Sequence, residues 1–192
     1  MAIPGLESVQ VRIELTGAKP PVWRSFVVPV HITLHQLHLA IQAVMGWEDA
    51  HLYEFRAGDE VAALPNPEVP RGVKNSRLER LDYWLDDGLT HLDYVYDLGD
   101  GWEHLIAFGE TRFDGPRVLE GAGACPPEDC GGLPGLEELL RVRREPGGPR
   151  HKEVSDWLKG WQANVFDAQQ ARERLAKVEL GPSGAGGTKG RR

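Results

Sequence analysis

The chain has 192 residues, 22 Lys and Arg against 29 Asp and Glu, and a formal net charge of −7. At about 150 residues per domain this is roughly one domain, long enough to bury a core without disulfide or metal staples. The acidic balance argues against tight binding of nucleic acid or an anionic membrane, both of which call for a net positive field.

Val9 to Leu15 alternates apolar and polar residues with period two, the pattern of a half-buried strand. Gly17, Pro20 and Pro21 form a turn, and residues 22–28 form a second strand stopped by Pro29, so the pair reads as a hairpin. Thr33 suits an N-cap, and Leu34, Leu37, His38, Ile41, Val44 and Met45 recur at helical spacing along one apolar face ended by Gly46. Residues 51–56 read as a third strand, 62–77 as a proline-rich loop and 78–85 as a short helix. Residues 90–96 and 102–108 are strands around the turn Asp97-Leu98-Gly99-Asp100-Gly101. Residues 120–135 read as a Gly/Pro/Cys loop, followed by helices over about 136–144, 152–158 and 168–178, the last capped by Asp167. From Gly181 the tail has no apolar residue beyond alanine, which predicts one domain over 1–180 and a disordered end over 181–192. The class is α+β, a mixed sheet with C-terminal helices, and the opening order strand-strand-helix-strand resembles a β-grasp.

Two cysteines do not make a secreted disulfide scaffold, and the first residues carry no basic-then-apolar leader. No apolar run approaches the roughly 18 residues that a membrane span needs. These features point to a cytoplasmic protein with no membrane partner.

Two Gly-rich segments concentrate chemistry. With a five-residue turn, Tyr96 pairs with Trp102 and Tyr94 with His104, so all four share one sheet face while Asp97 and Asp100 occupy the turn. One reading is an aromatic-packed hairpin with Asx-type turn bonds; the other sets the two carboxylates and His104 around a ligand or metal. The second segment, Cys125-Pro126-Pro127-Glu128-Asp129-Cys130-Gly131-Gly132, is a structural loop, or a source of zinc thiolates or of a catalytic thiol beside a histidine. His38 falls in the apolar helical stripe and reads as a core histidine or, with His104, Cys125 and Cys130, as a metal-ligand candidate. Arg24, in Pro-Val-Trp-Arg, lies on a solvated face, pairs with a carboxylate or clamps an anion. No dinucleotide fingerprint, phosphate loop, nucleophile elbow or HExxH motif is present.

Taken in order, PPVWR, TLHQLHLAIQAVMGWEDAHLYEF, YVYDLGDGWEH, ACPPEDCGG and FDAQQARERL resemble the Ri-plasmid ORF-three-like proteins, also labelled TnpR-family passengers of insertion sequences. The resemblance spans about residues 8–178 and departs chiefly at Leu98, where an aromatic is expected. It implies a domain of unknown function found on plasmids and mobile elements, with no catalytic residue to carry over. Its motifs place His51 beside the residues already named.

The sequence thus favours a non-catalytic binding module without a cofactor, with a protein partner. Its candidate surface is Arg24, His51, Asp97, Asp100, Trp102, His104, Glu128, Asp129 and Cys130. The main alternative is a metal-dependent hydrolase that holds a divalent ion such as zinc between the Asp97-Asp100-His104 turn and the Glu128-Asp129-Cys130 loop. A third is a DNA-acting recombination accessory protein. The two Gly-rich segments are expected to meet in space.

Overall fold

The computed structural model describes residues 7–66, 72–86 and 88–181. The hairpin β1 (Ser8–Leu15) and β2 (Trp23–Pro29) is followed by α1 (Leu34–Met45), then β3 (Tyr53–Ala57), β4 (Glu60–Ala63), β5 (Lys74–Asn75) and α2 (Leu81–Asp86). A second long hairpin, β6 (His91–Tyr96) and β7 (Trp102–Gly109), leads to β8 (Arg117–Ala122), α3 (Gly132–Arg143), α4 (His151–Trp157) and α5 (Ala168–Leu175). The strands form one eight-stranded sheet in the order β5-β4-β3-β6-β7-β1-β2-β8. Each pair is antiparallel except β4 with β5. The fold is therefore α+β with a mostly antiparallel sheet. The opening strand-strand-helix-strand order is present, and β6 and β7 lie between β3 and the first hairpin.

Local chemistry explains the elements that the sequence marks. Thr33 and Gln36 form a reciprocal capping box at the start of α1, and Gly46 closes the helix at φ 112°, a left-handed conformation that glycine adopts at little cost. Leu34, Leu37 and Ile41 are fully buried on the covered face of the sheet, together with Val11, Ile13, Phe26 and Phe55. The other face of the central strands carries exposed Arg12, Glu14 and Leu105.

Three strands lie where the sequence suggests loop. β4 overlaps the start of the 62–77 segment and β5 lies within it, and both extend the sheet edge through the pairs Phe55↔Ala62 and Ala62↔Lys74. β8 occupies the start of the supposed Gly/Pro/Cys loop because Gly121 packs as a strand residue. A Cβ there would fall 2.8 Å from the Trp23 carbonyl oxygen and 2.7 Å from the Phe166 ring, so the small residue permits a close approach. The short helix runs over 81–86 rather than 78–85, α3 starts at Gly132 rather than near 136, and α5 ends at Leu175. The Asp167 cap of α5 forms, with its carboxylate accepting the Gln170 N–H. The expected tail from 182 onward lies outside the described residues. Among the described residues no helix is long and apolar enough to cross a membrane.

The packing of α1 carries a direct consequence. Leu37 and Ile41 have no exposed surface, so Leu37→Ala or Ile41→Ala should each cost about 2–5 kcal/mol, the range for emptying a closely packed leucine or isoleucine site. Urea unfolding with an unchanged m-value reads that loss.

Candidate functional site

The site begins with the register of the second hairpin. Tyr94 pairs with His104 and Tyr96 with Trp102, as the five-residue turn requires, and all four side chains are buried on one face. The turn between them is closed by Asp97, at φ 53°, whose Oδ1 accepts the N–H groups of Gly99 (2.9 Å) and Asp100 (3.2 Å). This Asx-type arrangement leaves Asp97 Oδ2 free of the turn.

The 128–132 loop does meet that turn. The Gly131 N–H donates to Asp100 Oδ2 at 3.0 Å. Gly132 lies so close that a Cβ would stand 2.3 Å from the Asp100 carbonyl oxygen, and its φ of 67° also favours glycine. Glu128 is anchored through Oε1, which accepts from the Tyr96 hydroxyl and the Glu48 N–H, both at 3.0 Å. The Ala50 N–H in turn donates to the Tyr96 hydroxyl at 3.1 Å. Two indoles hold the loop from either side: Trp47 Nε1 donates to the Pro126 carbonyl (3.1 Å) and Trp161 Nε1 to that of Cys125 (2.7 Å).

His51, in the short connection before β3, stands at the centre. Its Nδ1 lies 3.7 Å from Asp97 Oδ2, and its Nε2 lies 3.2 Å from Asp129 Oδ1 and 3.8 Å from Glu128 Oε2. One atom each from His51, Asp97 and Asp129 all fall within 4.8 Å of one another, the one such grouping among the described residues. Among the described residues, His51 Nε2 and Glu128 Oε2 are buried atoms without a hydrogen-bond partner, and the Asp129 carboxylate is close to His51 but not aligned to serve as one. Three carboxylates thus surround one imidazole, a donor set of N and O atoms suited to a divalent cation.

Several sequence candidates lie elsewhere. The imidazole of the cluster is His51, not His104. The alternation that puts Tyr94 in the core puts His104 there too, its ring centre 5.3 Å from those of Trp47, which it meets edge-on, and Tyr94, to which it is tilted. Trp102 is fully buried, with no hydrogen-bond partner for its indole nitrogen among the described residues. Arg24 is not solvated and, among the described residues, not paired with a carboxylate; it reaches inward to three main-chain carbonyls. Cys125 and Cys130 are free thiols, both shifted upward by burial, Cys130 to about 12. Neither belongs to the cluster, and neither is a ready nucleophile at neutral pH.

His38 is a core histidine with both nitrogens satisfied. Gln42 Nε2 donates to the Tyr94 hydroxyl (3.1 Å), its orientation fixed because its Oε1 accepts the Asp49 N–H (2.9 Å). The Tyr94 hydroxyl then donates to His38 Nδ1 (2.8 Å), and His38 Nε2 donates to Asp49 Oδ1 (2.7 Å). This chain of donors fits the neutral imidazole with its proton on Nε2. Burial accordingly lowers the pKa of His38, outweighing the Asp49 carboxylate.

The model of the "Plasmid pRiA4b ORF-3-like protein" family matches residues 7–170. The chain belongs to the plasmid pRiA4b ORF-3-like family. A relative named "Uncharacterized protein y4hQ", from Sinorhizobium fredii (strain NBRC 101917 / NGR234), is 40% identical over 154 residues, which cover 78% of this chain and 79% of the relative. The crystal structure of protein MM3350 from Methanosarcina mazei Go1, described as of unknown function, is similar with a TM-score of 0.74 and 28% identity. That likeness covers 85% of this chain and 97% of that one.

In this ORF-3-like chain the core behind the site is sensitive to acid. Burial drives His104 from 6.5 down to about 4, even though its Nδ1 donates to the Tyr94 carbonyl at 3.2 Å. A histidine with a depressed folded-state pKa binds its proton more readily in the unfolded chain, so its contribution is intact above pH 6.5 and is lost as pH falls toward 4. The loss is on the order of 3 kcal/mol. His104→Gln should flatten the pH dependence of the urea midpoint between pH 6.5 and about 4.

Proposed function

We propose that this member of the ORF-3-like family is a binding module whose working site is the junction of the β6–β7 turn and the 128–132 loop, and that its immediate ligand is a divalent cation. The observation that carries the reading is the pair of buried, unpartnered atoms His51 Nε2 and Glu128 Oε2, 3.8 Å apart and flanked by Asp97 and Asp129. A buried polar atom without a partner costs roughly 1–3 kcal/mol, and a cation would serve both atoms at once. It would also offset the mutual repulsion of three carboxylates. His51, Asp97 and Asp129 would hold the ion, with Glu128 at its side.

A protein partner for the loaded site is part of the reading. Leu98, 52% exposed, sits in the turn, and Leu52, 40% exposed, is joined to the same turn through its carbonyl and the Asp97 N–H. Both cysteines are free thiols, which supports a cytoplasmic setting. We also retain the β-grasp kinship, supported by the leading hairpin and its crossing helix. Metal-assisted hydrolysis is the second reading. Three protein ligands with a fourth position open is the coordination used by hydrolytic zinc sites, and Asp129 is 76% exposed on the solvent side.

Titration calorimetry of metal-free protein with zinc or manganese chloride tests the proposal. One equivalent should bind. Asp129→Asn and His51→Ala should each weaken it at least about tenfold while leaving the melting temperature of the metal-free protein within error. Asn tolerates the left-handed backbone that Asp129 adopts at φ 55°, so that variant keeps the loop intact. No binding, or equal affinity in both variants, would overturn the assignment. Metal-dependent cleavage of generic ester or phosphodiester substrates, abolished by the same variants, would select the hydrolytic reading over the non-catalytic one.

A further inference from the structure

A cavity of about 320 Å³ lies on the other side of the same loop, between the end of α1, the 160–167 segment and α5. Its size is at the lower end of the range for small-molecule sites, roughly 300–1,000 Å³. Trp161, Val165 and Phe166 supply apolar walls, and Arg24 and Arg174 line it together.

Arg24 is the unusual group. It is 1% exposed, yet it makes no ion pair among the described residues. Its Nε donates to the Val44 carbonyl (2.9 Å) and its Nη1 to those of Trp23 and Ala122 (both 2.8 Å), while its guanidinium lies 4.1 Å from the Phe166 ring centre. These contacts satisfy two of its three nitrogens and hold the fork rigid, but they bring no negative charge. Buried charges are ordinarily paired, since an isolated one is expensive to take out of water. Arg174 adds a second guanidinium from α5, likewise without an ion pair among the described residues. It sits over Gly46, where a Cβ would come within 2.7 Å of its Nη1.

The competing explanation is that both arginines simply neutralise the C-terminal end of α1, which has no basic residue in its last turn. The magnitudes disfavour it as a full account. A helix end presents roughly half a negative charge, against two whole positive ones. Asp167 also lines the cavity, but its carboxylate is committed to the Gln170 N–H at 2.9 Å. Counting both, the lining remains net positive. Cys125 is another wall residue, and burial raises its pKa, so it contributes surface rather than a thiolate.

We propose that this cavity binds a small organic anion, its carboxylate or phosphate head held by the Arg24 and Arg174 guanidiniums and its compact apolar body resting against Phe166 and Trp161. Guanidinium forks match both head groups, and a preset fork loses little freedom on binding. This site stands independently of the cation cluster, whose residues do not line it.

The test is a titration of the full chain with benzoate, phenyl phosphate and inorganic phosphate at constant ionic strength in sodium chloride. Binding is read from the indole N–H resonance of Trp161, assigned by its loss in Trp161→Phe. Benzoate or phenyl phosphate should move that resonance saturably while the Trp84 indole, bonded to Glu79 on α2's side of the molecule, stays still. The stronger of the two identifies the head group, and inorganic phosphate should bind more weakly than phenyl phosphate because it lacks the apolar body. Arg174→Ala should weaken binding at least about tenfold and Arg174→Lys less so, since lysine keeps the charge and loses the fork. Asp129→Asn should leave the response unchanged, which separates this site from the cation site. No movement of the Trp161 resonance with any of the three probes in the wild-type protein would overturn the proposal. So would equal affinity in wild type and a folded Arg174→Ala.

Discussion

The register of the β6–β7 hairpin governs the rest of the molecule. Pairing Tyr94 with His104 and Tyr96 with Trp102 commits four large ring side chains to the covered face and leaves Asp97 and Asp100 at the tip. A slip of one residue would turn every ring outward and bring Val95 and Glu103 into the core. The two tyrosines then reach sideways. Tyr94 completes the His38–Gln42–Asp49 network on α1 and its exit loop, and Tyr96 connects the Ala50 N–H to Glu128. The core and the candidate site are thus joined through two hydroxyl groups on one strand.

The loop over 123–131 divides the molecule's polar chemistry. On one side Glu128 and Asp129 face His51 and Asp97; on the other Cys125 borders the cavity that holds Arg24 and Arg174. The Trp47 and Trp161 indoles and the Arg24 guanidinium pin this segment and its approach through carbonyls of Pro126, Cys125 and Ala122. A loop with few apolar residues of its own is fixed by donors from the elements around it, which is how irregular backbone acquires a defined shape without joining a sheet. Opposite charges thus line its two sides.

Histidines illustrate how burial sorts one residue type into separate roles. His104 sits among aromatic rings with its pKa pulled down to about 4, and buried His38 is held between the Tyr94 hydroxyl on Nδ1 and the Asp49 carboxylate on Nε2. His51 is 27% exposed on its side chain and faces three carboxylates. Composition alone does not tell the three apart.

Much was legible in the sequence because it rests on local rules. The apolar spacing of α1 follows from 3.6-residue periodicity, β1 from period-two alternation, and the Asp97 turn from the length of its connection. The expectation that the 97–104 and 128–132 segments meet drew on residue chemistry alone, and the family resemblance came from motifs in order. What only the tertiary structure decided depends on contacts between residues far apart in the chain. β8 is a strand because Gly121 lets β2 and Phe166 approach, an effect with no local pattern. His51, and not His104, joins Asp97 and Asp129 because alternation turned His104 inward while the chain's return before β3 brought His51 to the turn. Arg24 sits in a strand near the surface-type turn of the first hairpin, where an arginine reads as solvated or paired with a carboxylate. Its burial was settled by the carbonyls of Val44, Trp23 and Ala122, two of which come from segments that sequence spacing does not connect to it.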